Sequence, residues 1–194
     1  TEEMQQASGL PFDDKYLKDQ WHYINTGDQA IAPGAVEGAD IGVKDVWSKI
    51  TAGDREIIVA ILDGPVKHNH PDLKDNMWVN PLEIAGDEID NDENGYVDDI
   101  YGWNFIQDTC KLGWDARNAS GHGTHVAGTV AAVNNNGIGV SGVAGGSGKG
   151  DGVRLMSCEI IGDGASTYAS AYGFIYAADN GAHIAQCSWG YNTD

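Results

Sequence analysis

Ile57-Ile58-Val59-Ala60-Ile61-Leu62 runs directly into Asp63-Gly64-Pro65, and the reading of this stretch decides the fold. Six consecutive apolar residues, mostly β-branched, are too few for an ordinary helix and show no alternation. The run therefore reads as a strand buried on both faces, as in the middle of a parallel sheet. Outward from it, Val153 to Ile161 reads as a second strand and Ile184 to Ser188 as a third. Between those two, Tyr168 to Asn180 reads as a helix closed by Gly181. Val126 to Val133 is apolar and small, which suits a tightly packed helix beginning beside Gly121-His122-Gly123. Toward the N-terminus, Ile41, Val43, Val46, Trp47 and Ile50 fall near helical spacing until Gly53-Asp54 breaks the pattern. Strands alternating with helices imply an α/β fold with a mostly parallel sheet.

The 194 residues, 41% of them apolar, suffice for one domain with a real core. Residues 1–40, broken by Pro11, Gly27, Pro33, Gly34 and Gly38, read as an irregular arm packed on a body formed by residues 41–194. Residues 80–120 are rich in Asp, Asn and Gly and read as a long functional loop system. The formal net charge of −18 repels phosphate backbones and anionic lipid, which argues against nucleic acid as a partner. No apolar run approaches the roughly eighteen residues of a membrane span. Residues 1–20 lack the basic-then-apolar pattern of a secretion signal, so any such signal is expected to have been removed. Cys110, Cys158 and Cys187 are odd in number and widely spaced, which leaves at least one thiol free and predicts a buried, inert one.

The most specific stretch is Gly121-His122-Gly123-Thr124-His125-Val126-Ala127-Gly128-Thr129. A general base needs a pKa near neutrality and a place at a helix start facing a cleft, and glycines on either side let a substrate backbone come close. The alternative, two histidines three apart holding a metal, finds no third ligand pattern nearby. Asp63, at the C-terminal end of the apolar strand, is where a carboxylate that orients such an imidazole is expected.

These motifs resemble those of the subtilase family of serine proteases, over about residues 12–190. The resemblance implies a three-layer subtilisin-like fold with a mostly parallel sheet, incomplete in this chain, and a secreted endopeptidase with His122 as base, Asp63 as its partner and His125 as a packing residue. The family's D-T-G or D-S-G becomes Asp63-Gly64-Pro65 here, followed by His70-Pro71-Asp72-Leu73; a hydroxyl donor to Asp63 and one backbone N–H are lost. Ala182 to Gly190 resembles the strand that pairs with substrate backbone, so Ser188, Trp189 and Gly190 are implied to line one side of the cleft and Gly164, Ala165 and Ser166 the other. Gln186 and Cys187 depart from the family pattern and are expected to pack. Ser188 is by that match a rim residue; the family's nucleophile lies in a later G-T-S-M-A motif that does not occur here, nor does the Gly-Asn segment supplying the oxyanion donor. The chain alone is therefore expected to be inactive, and to be ordered only beside the remaining C-terminal part of the domain.

Calcium is the implied cofactor, at two sites. One resembles the family's strong site, with Asp72, Asn134, Asn136, Ile138, Val140 and Asp14 or Asp13 of the arm as oxygen ligands. The other is Asp90-Asn91-Asp92-Glu93-Asn94-Gly95-Tyr96-Val97-Asp98-Asp99, in which Asp90, Asp92, Asn94, Tyr96 and Asp98 follow EF-hand spacing. Its twelfth position is Tyr101 rather than glutamate, so a further acid, Asp99 or Asp87, is expected to fold in. The competing reading of the whole chain is a catalytically inactive relative that binds peptides, supported by Gly64-Pro65.

Overall fold

The computed structural model describes residues 9–115 and 120–190. The chain divides into two compact units, one of residues up to Arg55 together with Gly128–Val153, the other of Glu56–Ala127 and Arg154 onward.

The second unit carries the sheet. Strand β1 spans Ile58–Asp63, β2 Gly102–Asn104, β3 Arg154–Glu159 and β4 Ile184–Gln186, in spatial order β2-β3-β1-β4 with every pairing parallel. All six residues of β1 are buried, as its unbroken apolar run requires of an inner strand. Ile58, Ala60 and Leu62 of β1 share one core with Met156, Cys158 and Ile160 of the β3 region and with Trp78, Trp103 and Tyr176. The helix Thr167–Asp179 covers this face, burying Ala169, Gly173, Tyr176 and Ala177. Their spacing of three and four marks one stripe of the helix. Ser166 caps its start by accepting the Ala169 N–H at 3.3 Å. Gly173 lets it approach β3, since a Cβ there would lie 2.9 Å from Ile160 Cγ2. Past its end, Gly181 takes the left-handed conformation, φ +78°, that closes a helix.

The first unit has its own core of Phe12, Leu17, Tyr23, Val43, Trp47 and Ala52. The arm is built into it: Phe12 and Tyr23 pack on Trp47 with centroids at 5.0 and 5.6 Å. Trp47, on the helix α1 of Val43–Lys49, donates its Nε1–H to the Val143 carbonyl at 2.8 Å. The helix α2, His122–Ala131, contributes its first six residues to the second unit and the rest to the first; the helix at 167–179 is α3.

Four particulars differ from the sequence reading. Residues 102–104, placed within a loop, form β2, because Gly102 at φ +124° lies so close to the Ser157 backbone that no side chain fits. His125, expected to pack, is exposed; three residues past His122, it falls on the same open face of α2. Cys187 is exposed and Gln186 donates to Ser188, so neither simply packs. The expectation for the cysteines, by contrast, holds: all three are free, and Cys158 is the buried inert one, its thiol pushed far up by burial.

Candidate active site

β1 ends on Asp63 and α2 begins on His122, and the fold of the second unit brings the two together. Asp63 Oδ1 lies 2.7 Å from His122 Nδ1 and also accepts the Gly64 N–H at 2.6 Å. The carboxylate is 1% exposed whereas the imidazole is 53% exposed, so the acid is sheltered and the ring is open. With Nδ1–H donating to the carboxylate, Nε2 is the nitrogen free to take a proton. Asp63 Oδ2 is buried with no hydrogen-bond partner among the described residues.

The helix carrying His122 is tied to the segment that follows Asp63. Thr124 Oγ1 accepts the Lys67 N–H at 2.9 Å and donates to the Pro65 carbonyl at 3.3 Å. Gly123 is required there, because any Cβ on it would collide with the Gly64 carbonyl. The glycine of the motif thus serves close backbone packing.

Of the six rim residues named from sequence, Ala165, Ser166, Trp189 and Gly190 line a cavity of about 560 Å³ together with Ile161 and Tyr168; Gly164 and Ser188 do not line it. Gly164, at φ +87°, turns the chain into α3. Trp189 donates its Nε1–H to the Leu62 carbonyl at 2.7 Å, one residue before Asp63, which fixes this rim to the strand bearing the acid. Ser188 Oγ accepts from Gln186 Nε2 at 3.0 Å.

The contact between a strand-end carboxylate and a helix-start imidazole is accompanied by a direct family match: the profile of the subtilase family matches residues 54–194. The chain belongs to the subtilase family. Subtilisin-like protease 1 of Plasmodium berghei is 42% identical over 106 residues, 54% of this chain and 16% of that protein. Thermitase of Thermoactinomyces vulgaris is 33% identical over 132 residues, 68% of this chain and 37% of that protein. This subtilase chain therefore spans well under two thirds of either relative. The solved structure of the Aeromonas sobria serine protease in complex with its chaperone shares the fold, with TM-score 0.67 at 21% identity over 95% of this chain and 26% of that one.

The acidic loop of this subtilase gathers oxygen donors, though not quite those expected. Carboxylate oxygens of Glu83, Asp90 and Asp92 lie within 4.8 Å of one another, a donor set suited to a hard cation. Glu83 was missed because it stands seven residues before Asp90, outside any EF-hand spacing; only folding brings it in. It also accepts the N–H groups of Asn91, Asp92 and Asp98. Asn94 Oδ1 accepts the Tyr96 N–H at 2.8 Å, an Asx turn inside the loop. Asp98 faces the Gly86 and Glu88 N–H groups. Asp99 is fully buried and accepts from Tyr176 Oη–H at 2.6 Å and from Asn80 and Asn94, and burial holds its carboxyl above the usual range.

At the other expected cation site, Asp14 is buried, and its oxygens accept the Asn135 and Asn136 N–H groups and, at 2.6 Å, the Ser141 hydroxyl. Asp13 accepts the Gly137 N–H. The two aspartates thus lock the arm onto the loop. Asn136 Oδ1 accepts the Ile138 N–H and Asn134 Oδ1 accepts the Gly142 N–H, while Asn134 Nδ2 is buried without a hydrogen-bond partner among the described residues. Ile138 is exposed and Val140 half-buried. Asp72, in the other unit, is buried, and its N–H donates to His70 Nδ1 at 3.2 Å.

Proposed function

We propose that this chain forms the Asp–His part of a secreted, calcium-dependent serine endopeptidase of subtilisin type. The observation that carries the reading is the 2.7 Å contact between a buried carboxylate and a half-open imidazole. In such a protein His122 Nε2 takes the proton of a serine hydroxyl as that oxygen attacks the peptide carbonyl. Asp63 meanwhile holds the ring in its productive tautomer and stabilises the imidazolium. The serine and the oxyanion donor would come from polypeptide outside these residues, so the 194-residue chain alone should not hydrolyse peptides. A peptide or protein substrate would lie extended along Ser188–Gly190 and Gly164–Ser166, its backbone hydrogen-bonded as an added strand. Glu83, Asp90 and Asp92 would hold calcium in the acidic loop, and Asn134, Asn136, Ile138, Val140 and Asp14 a second ion; the ion's contribution is to neutralise clustered carboxylates and stabilise the folded state.

The orphan Asp63 Oδ2 and the Gly64-Pro65 pair favour one competing reading, a relative that binds peptides without cleaving them. Labelling the complete protein with a fluorophosphonate in calcium buffer separates the two. The peptidase reading requires a covalent serine adduct that His122→Ala abolishes; a folded, calcium-loaded protein that forms no adduct is the inactive relative.

A further inference from the structure

Glu159 ends β3 and has no part in the chemistry described above. In the β1–β3 register it pairs with Asp63. Leu62 and Cys158, one residue earlier on each strand, face the core, so Asp63 and Glu159 leave the opposite face of the sheet side by side. Glu159 is 6% exposed, and burial holds its carboxyl above the usual range. A buried carboxyl is costly unless something bonds to it. Here that partner is the Gly113 N–H, at 2.7 Å. A Cβ on Gly113 would lie 2.9 Å from Glu159 Oε1, so the 3-10 turn Gly113–Asp115 sits tight against the carboxylate. Its Trp114 packs edge-on against His68, centroids 5.9 Å apart, and takes Lys67 Nζ over its ring at 5.1 Å. The Lys67 backbone N–H in turn donates to Thr124 Oγ1 of α2.

We propose that Glu159 is a positioning residue for the Asp63–His122 pair. Through Gly113 it fixes the turn, and through Trp114 the turn braces the 64–68 segment that joins the acid to the helix of the base. The inference rests on the peptidase reading and adds to it a carboxylate that touches neither substrate nor reacting atoms.

The test compares Glu159→Ala and Glu159→Gln in the complete protein, with kcat expressed per fluorophosphonate-titrated site and amide exchange followed at Gly113. Small misplacements of an aligned pair are costly, so Glu159→Ala should lower kcat about tenfold and leave KM within about twofold. The Gly113 amide should lose protection. Glu159→Gln, whose side-chain oxygen can accept the same N–H, should restore most of both. A purely structural residue would change the number of titratable sites and not the rate per site. Wild-type kcat per site in Glu159→Ala, or a Glu159→Gln as slow as Glu159→Ala, overturns the proposal. If wild type itself takes no label, the peptidase reading is what fails. The exchange at Gly113 still reports whether Glu159 holds the turn.

Discussion

The end of β1 and the acidic loop of residues 83–99 both depend on carboxylates, and they hold them in opposite ways. At the strand end a single buried acid spends one oxygen on His122 and on the Gly64 N–H and leaves the other without a partner among the described residues. In the loop, three acids crowd within 4.8 Å, and two further ones are saturated by backbone, amide and hydroxyl donors. The strand end is set by backbone hydrogen bonding along a sheet, so its geometry exists without help from a ligand. The loop owes its shape to the acids themselves, whose mutual repulsion a cation would relieve. Chemistry should therefore fail when the first region is altered, and stability when the second is.

The largest separation of the two is expected from His122→Ala in the complete protein. Turnover should fall roughly 10⁶-fold, while the melting temperature keeps its full response to calcium. A variant that loses both would break the distinction. Next comes the loop: at a hundredfold excess over its Kd, calcium should add about 2.7 kcal/mol to unfolding free energy, and Glu83→Gln should remove most of that gain with the fluorophosphonate rate unchanged. Identical melting with and without chelator would show that the acids manage alone.

Tyr176→Phe probes the seam between the loop and the core. It removes the 2.6 Å donor to fully buried Asp99, which should cost about 1–3 kcal/mol in urea unfolding. Full stability in that variant would mean that Asn80 and Asn94 suffice.

The smallest effect concerns pH. Burial raises the Glu159 pKa on folding, so its stability term is fully present below the unfolded value, about 4.3, and is lost as pH rises through the folded one. The charged groups on the elements packed beside it are Asp63 on β1 and Asp115 on the neighbouring turn. Glu159→Gln does not titrate, so the stability of wild type relative to this variant should decline with rising pH across that window. A flat difference would mean that Glu159 keeps an ordinary pKa in the folded protein.

Sequence revealed what local pattern alone can dictate. The unbroken apolar run could only be an inner strand, and the alternation of β1, α2, β3, α3 and β4 followed from periodicity and from Gly181. Asp63 and His122 were legible because a strand end and a helix start are both marked in the letters. β2 was not, since three residues around Gly102 become a strand only through pairing with β3. Glu83 and Glu159 escaped for the same reason: one joins its cluster by a loop closing on itself, the other by register with Asp63. The exposure of His125 and Cys187 likewise depends on which faces α2 and β4 leave open, which no short motif encodes.

The most direct measurement is a double-mutant cycle on fluorophosphonate labelling of the complete protein, using Asp63→Asn, His122→Ala and both together. If the buried carboxylate acts by holding the imidazole, Asp63→Asn should slow labelling by about 10⁴-fold, and adding it to His122→Ala should cost almost nothing further. Near-wild-type labelling in Asp63→Asn, or two losses that simply multiply, would contradict it.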